Sequence, residues 1–302
     1  MIEKMNIDEI AIERIKDARK YATQYGRELR LAYSGGKDSD VILDLAIRSG
    51  VDFCVQHNHT AADAPETVYY IREVFARLNR MGITATVSLP PIININGKMQ
   101  RASMWNLIPY HKVPPLRMQR YCCEQLKERQ TDKDVHLLLG VRWAESINRR
   151  KRGLVESIPK VAKEKIIYFD ENDDRRKLTE ICTMKATVTT NPIIDWTDDD
   201  VWNYIRQNKI KVNPLYAQGY KRVGCIGCPM STRAKADLEN FPRYKKLYMR
   251  TFDRCIAARK RAGLPDNWMF ADAKTMYRWW LEDGYNPDQL EMFDWETNEI
   301  LV

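Results

Sequence analysis

The sequence predicts an α/β fold: a parallel twisted sheet flanked by helices, with a helical extension at the C-terminal end. Two observations carry this expectation. Short apolar runs alternate with helix-length amphipathic segments along the first part of the chain, the pattern made by parallel strands joined through crossover helices. A glycine-rich turn, Ser34-Gly35-Gly36-Lys37-Asp38-Ser39, lies between the first of these runs and the helix after it.

Residues 6–26 read as an amphipathic helix with Ile7, Ile10, Ile15 and Ala18 on its inner stripe. Residues 29–33 form a short apolar run, a buried strand. After the glycine turn, Val41, Ile42, Leu43, Leu45, Ala46 and Ile47 predict a helix buried on most of its surface, which Gly50 stops. Further strands are expected over 51–56, 84–89 and 136–141, with a helix over 66–81. Pro90-Pro91 and Pro114-Pro115 punctuate residues 90–120, which read as irregular with short helices. The charged stretch 150–190 yields no assignable element. Thr197 is placed to cap a helix over 198–208, with Asp199 and Asp200 as helix-start acids. Beyond 235 the chain reads as helical and rich in Tyr, Trp and basic residues. The expected division is a nucleotide-binding α/β domain over 1–234, cysteines included, and a helical extension over 235–302.

A formal net charge of +8 favours anionic partners. Its local sources include Arg149-Arg150-Lys151-Arg152, Arg175-Arg176-Lys177 and Arg259-Lys260-Arg261, each of which is equally a solvated face. No apolar run approaches the ~18 residues of a membrane span. The opening Met1-Ile2-Glu3-Lys4-Met5-Asn6 lacks a secretion signal, so a cytoplasmic location is expected. The seven cysteines stand at 54, 122, 123, 182, 225, 228 and 255, an odd count that points to metal or redox chemistry rather than a disulfide framework. Cys54 falls in a predicted strand and reads as a buried hydrophobe; Cys255 reads as an ordinary helical residue.

Strand, Ser-Gly-Gly-Lys-Asp-Ser, helix is a phosphate cradle with a mechanism. Paired glycines let backbone amides approach an anion, and the helix N-terminus adds a favourable dipole. Lys37 supplies a mobile cation, and Ser34 and Ser39 supply hydroxyl donors. The Gly-x4-Gly-Lys-[Ser/Thr] spacing of a Walker loop is absent. The segment resembles the PP-loop of the ATP pyrophosphatases, which implies an adenine nucleotide alpha hydrolase-like fold. It also implies an adenine nucleotide as ligand: ATP with Mg²⁺, from which pyrophosphate is released, or an already adenylated anion. Asp38 is then a magnesium-related or helix-capping residue.

A narrower resemblance follows. Asp63-Ala64-Pro65-Glu66-Thr67, Gly140-Val141-Arg142-Trp143-Ala144-Glu145-Ser146 with Arg149, Asn191-Pro192 through Trp196-Thr197, Asp200-Val201-Trp202, and Asn213-Pro214-Leu215-Tyr216 with Gln218-Gly219-Tyr220 occur in that order. Together they resemble the adenylyl-sulfate and phosphoadenylyl-sulfate reductase family over residues 28–232, in its iron–sulfur form, close to the DNA-phosphorothioation enzymes. The resemblance implies that Arg142 and Arg149 meet a sulfate or phosphate, for which a guanidinium fork is suited. Glu145 would orient Arg142, help hold a metal, or form a structural salt bridge. Trp196 and Trp202 read as core residues.

Cys122-Cys123 and Cys225-x-x-Cys228 provide four thiolates, the number required by a 4Fe-4S cluster or a tetrahedral zinc. A vicinal pair joined to a distant Cys-x-x-Cys is unusual for zinc, and the resemblance implies the iron–sulfur cluster. Lys127 follows the pair where that family often has a lysine. The family's reductases attack sulfur with a cysteine in a C-terminal tail, whereas here residues 294–302 carry no thiol and the last cysteine is Cys255. Cys182 is the remaining candidate for an attacking or sulfur-carrying residue.

Three functional readings result. In one, an ATP pyrophosphatase and sulfurtransferase adenylates an acceptor for sulfur insertion. The acceptor is then a nucleic acid, held by Arg243, Tyr244, Lys245, Lys246, Tyr248, Arg250, Trp279 and Trp280, and sulfur comes from a donor protein such as a cysteine desulfurase or a thioredoxin-like partner. The same C-terminal residues equally suit a helical cap or the interface of a homo-oligomer. The other readings are reduction of adenylyl sulfate or phosphoadenylyl sulfate to sulfite, and a non-catalytic nucleotide-sensing subunit.

Overall fold

The computed structural model describes residues 6–95, 97–117, 119–128, 134–147, 149–158, 166–168, 187–282, 293–294 and 299–300. The chain divides into two compact units, residues 1–90 with 127–224 and residues 91–126 with 225–302. The second unit therefore includes 91–126, which the sequence division placed in the nucleotide-binding domain.

In the first unit, helix α1 (Ile7–Gln24) opens on a capping box formed by Asn6 and Glu9. It buries Ala11, Ile15, Ala18 and Ala22, at spacings of four, three and four residues. Ile7, expected on this stripe, is exposed, because the buried face begins one turn further on. Strand β1 (Glu28–Ala32) follows, then α2 (Lys37–Ser49), β2 (Cys54–Asn58), α3 (Pro65–Arg80) and β3 (Ala85–Ser88). Gly50 closes α2 in the left-handed conformation, φ +70°.

The second unit begins with the antiparallel hairpin β4 (Ile92–Ile95) and β5 (Lys98–Arg101), then α4 (Met104–His111) and the short helix α5 (Tyr121–Cys123). The expectation of irregular chain with short helices missed the hairpin, whose signal is the Asn96-Gly97 dipeptide. Back in the first unit, β6 (Val135–Leu138), β7 (Val155–Ile158), β8 (Ile166–Tyr168) and β9 (Thr187–Thr190) complete a sheet of order β3-β2-β1-β6-β9-β7-β8. Strands β3, β2, β1, β6 and β9 pair in parallel, and β7 and β8 add antiparallel pairs at one end. The β6 side chains are all buried, as befits a strand covered on both faces.

Helix α6 (Asp198–Gln207) closes the first unit's core, capped by Thr197 as expected, and buries Val201, Tyr204 and Ile205. Helices α7 (Ala234–Asn240), α8 (Pro242–Arg261) and α9 (Ala273–Leu281) belong to the second unit. Segment 91–126 joins them for a visible reason. Trp105 of α4 packs its ring against Tyr244 and Tyr248 of α8, Arg259 donates to the Lys112 carbonyl at 3.0 Å, and Trp280 donates to the Pro115 carbonyl at 2.8 Å. Among the described residues no helix is long and apolar enough to cross a membrane.

The topology positions the site. From β1 the chain moves outward to β2 and β3, then returns to β6 on the other side of β1. Such a reversal opens a crevice at the carboxyl ends of the strands. Ser34–Ser39 follows β1, Gly140-Val141-Arg142 follows β6, and Trp196-Thr197-Asp198 follows β9, so the chemical motifs converge there.

Candidate functional site

Gly35 has φ +72°, and a Cβ at this position would lie 2.9 Å from Cγ1 of Ile71. Both facts demand glycine. Gly36 caps α2, and Ser39 reaches back to it, accepting from the Gly36 amide at 3.2 Å and donating to the Gly36 carbonyl at 2.7 Å. Gly140 allows the β6 end to approach the loop, since a Cβ there would stand 3.2 Å from Cβ of Asp38. Ser34 lies 3.3 Å from Ser39, hydroxyl to hydroxyl.

Lys37 is not the mobile cation expected from the sequence. Its side chain is 8% exposed and its ammonium stands 3.3 Å from Asp38 Oδ2 and 3.2 Å from Asp198 Oδ1. Arg142 is completely buried. Its Nε donates to Asp38 Oδ1 at 2.7 Å, one terminal nitrogen to Asp198 Oδ1 at 2.8 Å, and the other to the Trp196 carbonyl at 3.2 Å. Two cations and two carboxylates thus close a network that ties the ends of β1, β6 and β9 together. Burial works against the charge of Asp198, but the bonds from Arg142 and Lys37 outweigh it and hold that carboxyl below its usual range. Committed in this way, Arg142 holds both carboxylates at the loop.

Glu145 accepts from the Arg142 backbone amide at 3.2 Å and forms an ion pair with Arg149. Burial, then the repulsion of Arg222, depresses the Arg149 guanidinium to about 10, so it remains charged at neutral pH. Arg149 brings positive charge close to Asp38.

Two loop supports went unrecognised in the sequence, although the motif carrying them was noticed. Asn213 is fully buried and donates to the Gly35 carbonyl at 3.1 Å and to the Thr67 hydroxyl at 3.0 Å. Tyr216 accepts from the Lys37 amide at 2.8 Å, satisfying one of the free donors of the α2 N-terminus. Below the loop, the Tyr33 hydroxyl donates to Asp40, whose carboxyl is pushed up to about 7 by burial.

The second unit gathers Cys122, Cys123, Cys225 and Cys228, all half-buried and free of disulfide bonds. Cys225-Ile226-Gly227-Cys228 forms a tight turn, with Gly227 at φ +70° pressed against Tyr248 and Leu238. Tyr248, fully buried, donates to the Ile226 carbonyl at 3.1 Å, and Arg117 donates to the Pro229 carbonyl at 3.2 Å. Arg120 lies 3.5 Å from Cys123 Sγ. The hydrogen bond with Cys123, then burial, then the neighbouring Cys123, Cys225 and Cys228 push the Cys122 thiol far up. Four thiols within electrostatic reach of one another are the number that an all-thiolate metal centre takes, although among the described residues no three of their sulfurs are drawn together within 4.8 Å.

Cys54 departs from expectation: it is half-buried, and its thiol donates to Glu28 at 2.8 Å. Cys255 is buried in α8, as expected. Cys182 lies outside the described residues. Of the basic and aromatic group in the C-terminal region, Arg243, Lys245, Lys246 and Arg250 are exposed, whereas Tyr248 and Trp280 are buried and closed to stacking with an external base. A cavity of about 470 Å³ in the same unit is lined by Lys98, Gln100, Tyr110, Arg254 and Arg261, among others.

An uncharacterized protein of Methanocaldococcus jannaschii is 26% identical over 272 residues, covering 88% of this chain and 55% of that protein. A second protein of the same organism, again 26% identical, is matched over 36% of its length; the chain spans about half or less of these two relatives. An adenosine 5′-phosphosulfate reductase of Lysinibacillus sphaericus is 24% identical, covering 78% of this chain and 87% of that enzyme. Among solved structures, phosphoadenylyl-sulfate reductase from Candida auris, in a phosphate complex, shares 16% identity with a TM-score of 0.42 and covers 74% of this chain and 96% of that one. The profile of the phosphoadenosine phosphosulfate reductase domain matches residues 28–231, from β1 to just past Cys228, and the chain belongs to that family.

Proposed function

We propose that the chain binds MgATP on the 34–39 loop, transfers the adenylyl group to an acceptor oxygen with release of pyrophosphate, and so prepares that oxygen for replacement by sulfur. The carrying observation is the pairing of Asp38 and Asp198 with Lys37 and Arg142 at the loop. A site built only to hold a sulfonucleotide needs free cations. One that also presents two carboxylates suits a nucleotide bearing Mg²⁺, which is commonly held by one or two carboxylates together with the phosphates.

In the first step the acceptor oxygen attacks the α-phosphorus, the bond to the β-phosphate oxygen breaks, and pyrophosphate leaves with the electron pair. Lys37 and the Arg149–Arg222 pair neutralise charge on the leaving group, where most of the catalysis in such transfers arises. Ser34 orients the phosphates through its hydroxyl, Ser39 holds the Gly36 turn, and Arg142 keeps Asp38 and Asp198 in place. A sulfur nucleophile then displaces AMP. Cys122, Cys123, Cys225 and Cys228 would hold a 4Fe-4S cluster, an all-thiolate donor set suited to iron, which would supply a sulfur- or electron-handling centre. The exposed Arg243, Lys245, Lys246 and Arg250 suit a nucleic-acid acceptor, and a cysteine desulfurase or thioredoxin-like protein in the cytoplasm suits the role of sulfur donor.

A second reading, reduction of adenylyl sulfate or phosphoadenylyl sulfate to sulfite, is favoured by the family and by the reductases among its relatives; Cys182 is its candidate thiol. The two separate in one pair of assays on anaerobically purified protein. Pyrophosphate release from MgATP, increased by tRNA or DNA, supports the first. Sulfite release from a sulfonucleotide and a thiol, without pyrophosphate release, replaces it with the second. Neither product, with nucleotide still bound, would leave a sensing role.

A further inference from the structure

We propose that His57, His59 and Asp63 form a binding site for a first-row divalent transition-metal cation at the mouth of the sheet, distinct from the Mg²⁺ carried by ATP. Among the described residues these side chains are the one group of three potential ligands whose donor atoms all lie within 4.8 Å of one another. The sequence brings them together simply. His57 lies in β2 and His59 just beyond its end, two residues apart, the spacing that puts side chains on one face of an extended chain. Asp63 lies just ahead of α3, in the turn that returns from the strand.

The environment of His57 points to a ligand. Its Nδ1 lies 3.0 Å from the Tyr33 carbonyl oxygen. A carbonyl can only accept, so Nδ1 carries the proton and the lone pair falls on Nε2. That nitrogen is buried without a hydrogen-bond partner, in a residue only 7% exposed. An unsatisfied buried polar atom costs about 1–3 kcal/mol, and a cation on the lone pair would relieve it. A backbone carbonyl fixing the tautomer of a histidine is also the usual outer support of a metal ligand. Asp63 is held likewise: its Oδ2 accepts from the Thr60 amide at 3.1 Å and from the Thr60 hydroxyl at 2.8 Å. His59 completes the set, 3.8 Å from the same oxygen and 31% exposed.

Two imidazoles and one carboxylate suit zinc, iron or similar ions, whereas Mg²⁺ prefers oxygen ligands throughout. Three protein ligands with one side toward solvent leave coordination positions for water or an anionic oxygen. The carbonyl that orients His57 belongs to the residue immediately before Ser34, so the cation would be tied to the base of the phosphate loop.

Co²⁺ titration of the full chain, purified anaerobically with its thiol centre intact, tests this. Thiolate-to-cobalt charge-transfer absorption marks the cysteines, whereas ligand-field bands without it mark a nitrogen–oxygen site. The wild type is expected to take up a single Co²⁺ of the second kind, displaced by Zn²⁺ but not by excess Mg²⁺. His59→Ala, at a position open enough to spare the fold, and Asp63→Asn should each weaken uptake by on the order of 100-fold, at or beyond the upper end for losing an outer support. Histidine NMR gives an independent readout, since the chain has only four histidines, of which His57 and His59 should respond to Zn²⁺. Equal Co²⁺ uptake by wild type and both variants, thiolate-type absorption alone, or unmoved His57 and His59 resonances would overturn the proposal and leave the orphan nitrogen to water.

Discussion

At the loop, Lys37 and Arg142 face Asp38 and Asp198, and every charge has a partner of opposite sign within 3.3 Å. In the second unit a hydrogen bond with Cys123, then burial, and then the nearby Cys123, Cys225 and Cys228 push the Cys122 thiol up. The first arrangement is complete as it stands, and its framework needs no ligand to hold it. The second, on the reading that these cysteines hold a cluster, would give up protons and take a cation in a single event. One site is preorganised by its own counterions, and the other, on that reading, takes its counterion from outside.

The largest expected effect lies on the thiol side. Cys225→Ser should strip nearly all iron and acid-labile sulfide from anaerobically purified protein while leaving nucleotide binding intact. Retained iron in this variant would remove the contrast. On the loop side, Arg142→Ala empties a fully buried position and leaves Lys37 as the remaining cation for Asp38 and Asp198; because Asp198 faces solvent, the cost in denaturant unfolding should be about 3 kcal/mol, the lower end for breaking a buried pair. A loss below about 1 kcal/mol would show the network to be ornamental. Tyr216→Phe removes only the acceptor for the Lys37 amide and should cost about 1 kcal/mol, with a weaker apparent affinity for ATP.

The smallest effect sharpens the comparison through pH. Asp40 has a folded-state pKa of about 7 against an ordinary 3.8, raised by burial. Between those values the folded chain keeps a proton that the unfolded chain has lost. Its contribution is therefore full below about pH 3.8 and declines as pH rises to 7, then levels off. Asp40→Asn should flatten the wild-type fall in unfolding free energy through that window, and parallel pH profiles would show that Asp40 is already ionised in the folded protein.

The phosphate loop was legible because its chemistry is local: glycines, lysine and serines sit within six consecutive positions. The Gly-x-Arg block was equally visible, but the partners of Arg142 were not. Asp198 read as a helix-start acid, and nothing in its neighbourhood reveals that the β9 end meets the β1 end. Fixing Lys37 by Asp198 is likewise a product of topology. The long parallel order was readable from alternating apolar runs, yet β9, Thr187–Thr190, was lost in a charged stretch despite its β-branched residues. Tyr248 and Trp280 looked like a stacking surface because composition does not show which side of a helix faces inward; packing against α4 and the Pro115 carbonyl decides it. His57 and His59 gave a readable spacing, but the orphan nitrogen appears only when Tyr33 is placed beside it.

Equilibrium binding of ATP with Mg²⁺ to wild type and Lys37→Met, both checked for unchanged thermal stability, tests the phosphate loop most directly. A charged hydrogen bond contributes about 1.5–3 kcal/mol, so the variant should bind roughly 10- to 100-fold more weakly, with Asp38 and Asp198 then repelling the phosphates. Equal affinity in the two proteins would place the nucleotide elsewhere and contradict the assignment of residues 34–39 as its phosphate site.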